Sequence, residues 1–142
     1  MKMEVKHYNI VPVAKPRMTQ RDTWKKRPCV LKYRAFKDEC KKAGIEIPIQ
    51  GIHVIFFMPM PNSWSKKKKD AMRGQPHKQK PDVDNLAKAL LDAIHVDDCV
   101  VWDIRITKRW WDEGKIITLV EPISAIEELW LKVKRFLTKY IF

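Results

Sequence analysis

Two aspartates and a lysine, Asp82, Asp84 and Lys88, lie within seven residues of one another, and an aspartate pair, Asp97 and Asp98, follows them. Carboxylate oxygens are hard ligands that suit Mg2+, which keeps several waters and also binds substrate phosphate. Such a metal can activate a water molecule and stabilise a leaving oxygen. A nearby ammonium group can neutralise charge that develops on phosphate. These residue types favour metal-assisted hydrolysis of a phosphodiester.

The local conformation of this segment can be predicted from Pro81, which disfavours helical dihedrals at the residue before it. We expect an extended approach in which Asp82 and Asp84 point to the same side. Asp84 would then be the N-cap of a helix over residues 85–94, where apolar residues recur at helical spacing. Asp is a preferred N-cap, and an ion pair between Asp84 and Lys88 would contribute ~0.2–0.5 kcal/mol. Capping and pairing are therefore an alternative explanation to a metal site.

Reach limits the choice of a third carboxylate. A helix over residues 85–94 is about 15 Å long, and residues 95–98 span at most roughly 13–14 Å. Asp98 can return towards Asp84 only if the helix ends early or the chain turns back at once. Asp97 has the shorter reach, so Asp98 ranks second on geometry alone, and the sequence does not decide between the two.

Length and composition predict a single globular domain. A chain of 142 residues is long enough to bury a core. Its composition, 45% hydrophobic and 32% charged, is that of a globular protein. No apolar run approaches the ~20 residues of a membrane span, and the N-terminus lacks the apolar region of a signal peptide. Three cysteines without a CxxC pair fit a reducing cytoplasm. No phosphate loop or glycine-rich motif predicts an organic cofactor.

The net charge of +12 is concentrated upstream of the acids. Residues 15–42 carry eleven Lys and Arg against three acids, and residues 66–80 carry seven against one. Charge localised in this way is typical of a surface that binds DNA or RNA. The lysines at 66–69 oppose the dipole of a helix that would begin there. Local stability does not explain them, so phosphate contact is favoured over a solvated loop.

The remaining pattern predicts the elements that position these residues. Strands are expected at 4–11, 50–58, 100–107 and 115–121, and helices at 29–43, 66–73 and from Ser124 onward. Gly44 and Gly74 would end the first two helices, and Ser65 would cap the second. Residues 112–114 would form a tight turn between the last two strands.

Three apolar features have their own expectations. The strand at 50–58 should be buried on both faces, and Trp102 should lie in the core because it alternates with polar residues. Trp110 and Trp111 could stack on bases or close a dimer interface. The apolar stripe of the last helix should contact either the core or a subunit.

Several motifs, taken in order, resemble the RusA family of Holliday junction resolvases. The acidic segment and its downstream partner match as Lys80-Pro81-Asp82-Val83-Asp84-Asn85-Leu86, Lys88, Leu90-Leu91-Asp92-Ala93, Asp97-Asp98 and Lys108-Arg109-Trp110. Upstream pieces that fit are Pro12-Val13-Ala14-Lys15-Pro16-Arg17, Ser63-Trp64-Ser65-Lys66-Lys67-Lys68, Gly74 and His77. The similarity covers roughly residues 8 to 120. It leaves a C-terminal helix at 124–142 outside the matched part of a single domain over 1–142.

The resemblance implies an α+β fold with a small mixed sheet and packed helices. It also implies an Mg2+-dependent endonuclease, with Mn2+ as a substitute, that resolves four-way DNA junctions by paired symmetric nicks. Asp82, Asp84 and Asp98 would be the metal carboxylates, with Asp97 as the alternative third ligand, and Lys88 would be the essential cation. The residues expected to contact DNA are Lys15, Arg17, Lys66, Lys67, Lys68, Lys69, Arg73, His77 and Lys80.

The implied partners are branched DNA and a second copy of the chain, because a homodimer matches the two-fold symmetry of a junction. The implied setting is the cytoplasm of a bacterial or phage-infected cell. Two other functions stay open. One is the same chemistry on other branched or single-stranded DNA, and the other is a DNA-binding protein without turnover.

Overall fold

The fold is one four-stranded sheet with helices packed on it. The computed structural model describes residues 4–23, 27–47, 51–95, 97–121 and 123–140, without the side chains of residues 22, 23, 98, 123 and 124. The strands are β1 (Glu4–Tyr8), β2 (Ile52–Pro59), β3 (Ile104–Trp111) and β4 (Lys115–Val120). The helices are α1 (Pro28–Ala43), α2 (Lys66–Met72), α3 (Val83–Ile94) and α4 (Ile123–Tyr140). The prediction of an α+β fold is confirmed.

The sheet is mixed, with strand order β1-β4-β2-β3. β2 is parallel to β3 and antiparallel to β4, and β1 is antiparallel to β4. Parallel neighbours need a long crossover, and here the crossover from β2 to β3 contains α2 and α3. β3, which carries Lys108, Arg109 and Trp110, therefore lies beside β2 at one edge of the sheet.

The expected tight turn between the last two strands does not make a hairpin. β3 and β4 are separated by β2, which hydrogen-bonds to both of them. The reason is that β2, the most apolar strand, has partners on both of its edges, so residues 112–114 pass across its end. Gly114 is needed in this connection because a Cβ there would lie 2.8 Å from the Cα of Val11.

The core lies between one face of β2 and the helices α1 and α3. Every second residue of β2, from Ile52 to Met58, is buried, whereas the residues between them are partly exposed. The prediction that both faces are buried was wrong, and Gln50, the first residue of the predicted strand, lies outside the described residues. From the helices, the buried residues are Val30, Tyr33, Phe36, Cys40, Leu86, Ala89, Leu90 and Ala93.

Two helix boundaries are confirmed by their capping geometry. α1 ends at Gly44, which has φ 66° and donates its N–H to the carbonyls of Cys40 and Lys41. α2 begins after Ser65, whose hydroxyl accepts from the Lys68 N–H at 3.2 Å.

The third predicted strand begins four residues later than expected. Residues 98–100 form a 3-10 helix, and Trp102 is 63% exposed instead of buried. β3 starts at Ile104 because this residue pairs with Ile52, the first residue of β2, so the residues before it have no strand to pair with.

The tryptophan pair divides between core and surface. Trp110 is 4% exposed and packs against Trp64 and His77, with ring centroids 4.8 and 4.1 Å away. Trp110 is therefore a core residue, and neither base stacking nor a dimer contact fits it. Trp111 is partly exposed and meets the ring of Phe57 edge-on at 5.7 Å.

The C-terminal helix α4 is present, but its apolar stripe does not pack into the core. Its large apolar residues are mostly exposed, so core packing was the wrong alternative. The side chain of Ser124, the predicted cap, lies outside the described residues. Within the described ranges, no helix is long and apolar enough to cross a membrane.

Candidate active site

The acidic segment lies at the N-terminal end of α3. The helix begins at Val83, and Asp82 is the N-cap with extended dihedrals of φ −70° and ψ 145°. Asp84 lies within the first turn, so the prediction that it is the N-cap was wrong by two residues. Pro81 restricts only the residue before it, which leaves Asp82 free to start the helix. The shared extended orientation expected for the two carboxylates therefore does not apply.

Neither aspartate side chain stabilises the helix through a hydrogen bond or an ion pair to another described residue, although the charge of Asp84 in the first turn suits the helix dipole. Asp82 makes no side-chain capping hydrogen bond. Asp84 and Lys88 form no ion pair, although both are exposed and one turn apart. Among the described residues, the side chains of all three lack a hydrogen-bond or ion-pair partner. Capping and pairing thus do not account for these residues, and their charged groups are available to a ligand.

A basic cleft opens between the loop at 15–17 and α3, and its lining includes Asp82 and Lys88 but not Asp84. One part has a volume of about 460 Å3 and a second part about 480 Å3. The cleft is lined by Lys15, Pro16, Arg17, Lys80, Pro81, Asp82, Asn85, Lys88 and Asp92. Four of the predicted site residues are cations in this lining, and Asp82 stands among them. The structure thus brings together residues that are up to 77 positions apart in the sequence.

The loop at 15–17 is held against α3 by Lys15. Its backbone N–H donates to the carbonyl of Asn85 at 3.0 Å, and its ammonium lies 2.7 Å from Asp92 Oδ2. Tyr33, from α1, donates its hydroxyl to the same oxygen at 2.6 Å. Lys15 therefore positions one wall of the cleft.

These contacts shift the acidity of both partners. Burial alone would raise the pKa of the Asp92 carboxyl, but the hydrogen bonds from Lys15 and Tyr33 outweigh it and lower this pKa below its ordinary value. Burial, followed by the hydrogen bond to Asp92, raises the pKa of Tyr33. Sequence reasoning gave no role to Asp92. The available signal was an acid among the apolar residues of Leu90-Leu91-Asp92-Ala93.

The approach to Asp82 is fixed by β3. The backbones of Gly74, Gln75 and His77 hydrogen-bond to Trp110 and Lys108 over distances of 2.8 to 3.1 Å. The Lys108 ammonium then donates to the carbonyls of Gln79, at 2.5 Å, and Pro81, at 2.6 Å. The sequence marked this lysine only as part of a motif, and its contacts give it a positioning role.

Arg73 and His77 were predicted to contact DNA and have other partners, as does Lys15, which pairs with Asp92. Arg73 makes two hydrogen bonds to Asp112, at 2.7 and 2.8 Å, and one to Asp70 at 3.0 Å. Its guanidinium therefore joins α2 to the turn after β3. His77 is 5% exposed inside the core, where burial and then Lys108 lower its pKa. Neither residue fits a direct DNA contact in this arrangement.

The lysines of α2 remain at the surface. Lys66 and Lys67 are exposed, and the Lys68 ammonium lies 4.3 Å from the centroid of the Trp64 ring. Lys69 is partly exposed. Lys66 and Lys67 are therefore the members of this run best placed to meet phosphate.

α3 does not end early, so an early end of this helix does not bring a third carboxylate towards Asp82 and Asp84. α3 continues to Ile94, and the next N–H, that of His95, bonds to the Leu91 carbonyl at 2.8 Å. Asp97 accepts from the Cys99 N–H at 3.2 Å, and hydrogen bonds from the side chain and then the backbone of Cys99 lower the Asp97 pKa.

Among the described side chains, no three His, Cys, Asp or Glu residues lie close enough to hold a metal ion. Asp97 therefore does not complete such a group with Asp82 and Asp84. The Asp98 side chain lies outside the described residues. The exposed, unpartnered carboxylates of Asp82 and Asp84 have the oxygen chemistry that Mg2+ prefers, so the donor type fits this ion.

A sequence model of the endodeoxyribonuclease RusA family matches residues 7–121. The chain belongs to the RusA endodeoxyribonuclease family. The RusA match includes the whole basic cleft, both aspartate pairs and Lys108, and it ends before α4. The resemblance stated from the motifs is confirmed over almost the same residues.

A curated relative was also found. The uncharacterized protein YqaN of Bacillus subtilis (strain 168) is 36% identical over 77 residues, which are 49% of this chain and 54% of YqaN. The chain thus spans about half the length of this relative. Its name states no activity, so the RusA family match carries the functional argument.

Proposed function

We propose that this RusA-family chain is a metal-dependent endodeoxyribonuclease that resolves four-way DNA junctions by paired symmetric nicks. The observation that carries the proposal is that Asp82 and Lys88 line the basic cleft without a side-chain partner among the described residues, while Asp84 is exposed two residues after Asp82. Carboxylates left exposed next to several cations are unexplained by the fold alone. A bound divalent ion would account for the carboxylates, and a bound DNA phosphate would account for the cations.

Asp82 and Asp84 would hold Mg2+, or Mn2+ in its place, with Asp98 proposed as the third ligand. When bound, such an ion activates water and stabilises the leaving oxygen. Lys88 neutralises charge on the phosphate, and it lies on the wall of the cleft that also contains Asn85. Lys108 keeps the backbone before Asp82 in place through its two carbonyl contacts.

The cleft and α2 supply the affinity for DNA. Arg17, Lys80 and Lys88 line the cleft, and Lys66 and Lys67 extend the positive surface on α2. Contacts of this type bind the DNA backbone without reading its sequence. Two symmetric cuts require two such sites, which a homodimer provides, and such an enzyme would act on DNA in the cytoplasm.

The experiment compares synthetic four-way, flap and linear duplex DNA. We expect paired nicks in the four-way junction with Mg2+, and binding without cutting in Ca2+. Asp82→Asn should abolish cutting and preserve or tighten binding, because it removes negative charge near phosphate. Asp38→Asn is a matched control, since Asp38 is an exposed acid on α1 without an ion-pair partner among the described residues.

Each contrary result has its own meaning. Equal cutting of flap and four-way DNA would reject junction specificity but keep the nuclease. Full binding with no cutting by the unmodified protein, in Mg2+ and in Mn2+, would reject the enzyme and leave a DNA-binding protein. Normal cutting by Asp82→Asn would reject the assignment of the metal site.

A further inference from the structure

The helix α4 presents an apolar stripe that no part of the described fold covers. The exposed fractions are 63% for Leu129, 52% for Trp130, 42% for Val133, 56% for Phe136 and 64% for Tyr140. An aromatic side chain buries ~150–250 Å2 when it is enclosed. The three aromatic residues therefore expose roughly 300 Å2 between them, a patch size that often marks an interaction site.

The spacing of the stripe is that of a helix that pairs with another helix. Apolar residues recur at intervals of three and four, which is the a and d pattern of a heptad with a further apolar residue beside it. The residues are Ile126, Leu129, Trp130, Val133, Phe136, Leu137 and Tyr140. A straight stripe of this kind fits a partner helix along most of the ~27 Å length of an 18-residue helix.

The charges of α4 are divided between its two halves. Glu127 and Glu128 lie in the N-terminal part, and the basic residues Lys132, Lys134, Arg135 and Lys139 all follow them. A parallel copy would place like charges beside each other. An antiparallel copy places the acidic part of each helix beside the basic part of the other, an arrangement that charge complementarity favours.

We propose that α4 binds α4 of a second copy of this chain in an antiparallel pair about a two-fold axis. Such a contact is isologous, because both partners use the same surface. The start of α4 contacts the residue before β2, since the Ile126 side chain packs over Gly51, where an added Cβ would collide with it. The pairing surface extends from this contact along α4. It lies outside residues 7–121, the part that matches the family.

The test measures self-association by sedimentation velocity over a range of concentrations, without DNA or metal. The unmodified chain should form a dimer whose dissociation constant rises with salt. Val133→Lys should raise that constant at least tenfold. Leu131→Lys is the matched control and should leave it unchanged, because Leu131 is 47% exposed on the opposite side of the helix.

Charge reversal tests the orientation of the pair. Glu127→Lys with Glu128→Lys should weaken the dimer, because both ends then become basic. Adding Lys134→Glu and Arg135→Glu should restore part of it, since these two acids then oppose the new lysines, although Lys132 and Lys139 stay basic. Circular dichroism of each variant checks that helix content is unchanged.

Three outcomes would overturn the proposal. The chain could be monomeric at all concentrations. It could dimerise equally well with Val133→Lys, which would place the interface elsewhere. A monomer that co-sediments with anionic phospholipid vesicles would instead assign the stripe to a lipid surface. A monomeric chain would also contradict the homodimer of the proposed function, on which this inference rests, whereas a dimer that survives Val133→Lys would reject the α4 interface alone.

Discussion

The Lys108 ammonium lies 2.6 Å from the carbonyl oxygen of Pro81, the residue that precedes the N-cap Asp82. A second contact, to the Gln79 carbonyl, makes Lys108 a clamp between β3 and the start of α3. The position of Asp82 thus depends on a side chain 26 residues further along the sequence.

We expect Lys108→Met to lower the cleavage rate by about 10–100-fold, because a shift of ~1 Å in a reacting group costs about that much. Junction affinity should change far less, and Lys108→Arg should recover part of the rate. Single-turnover cleavage and binding in Ca2+ separate the two effects. Lys115→Met, which also removes one lysine, is the control. Equal losses in affinity and rate would identify Lys108 as a DNA contact instead.

Asp92→Asn should destabilise the fold at pH 7 by about 1–3 kcal/mol, since it weakens charge-assisted hydrogen bonds from Lys15 and Tyr33. The Asp92 pKa is lowered in the folded state. Its contribution is therefore complete above a pH of about 4 and is lost as the pH falls through the folded-state pKa.

Urea unfolding of the unmodified chain and of Asp92→Asn between pH 7 and pH 3 measures this difference, which should shrink below a pH of about 4. Asp38→Asn again provides a control for the loss of one acid. If the difference in the free energy of unfolding between the unmodified chain and Asp92→Asn stays constant down to pH 3, the charge of the Asp92 carboxylate is not its cause.

Lys66→Gln with Lys67→Gln should weaken junction binding and reduce the slope of log affinity against log salt by roughly 0.9 for each phosphate that is no longer neutralised. Both lysines are exposed at the start of α2. Lys41→Gln with Lys42→Gln removes the same charge from the end of α1. If both double variants flatten the slope equally, the lysines of α2 act only through net charge.

Asp98→Asn should abolish cleavage, whereas Asp97→Asn should keep most of it, because Asp97 uses its carboxylate to accept from the Cys99 N–H. Calorimetric titration with Mn2+ should show weaker metal binding only for Asp98→Asn. If Asp97→Asn alone loses metal binding, the two assignments are reversed.

The sequence predicted those elements whose signals are local. The helix from residue 28 to 43 follows from the spacing of Val30, Tyr33, Phe36 and Cys40 and from Gly44 at its end. Ser65 likewise predicts the start of α2 through its own hydroxyl. These boundaries depend on residues within one turn of the helix, so no tertiary information was needed.

The errors concern features that distant residues decide. The start of β3 depends on its register with β2, and the expected hairpin is excluded by the strand that lies between its arms. In the site, the sequence predicted a helix that starts beside Asp82 and Asp84 and carries Lys88, because apolar residues recur at helical spacing there. It could not predict that Asp92 and Lys108 position them, because those contacts join separate elements.

The placement of β4 sets an order of events during synthesis. Among the described strands, β1 hydrogen-bonds to β4 alone, so the edge of β1 that pairs with β4 stays open until residues 115–120 have emerged from the ribosome. Pairings so distant along the chain form slowly. The growing polypeptide must therefore carry β1 unpaired until β4 is made, and the charged residues Glu4 and Lys6 on β1 are of the type that discourages strand-to-strand aggregation.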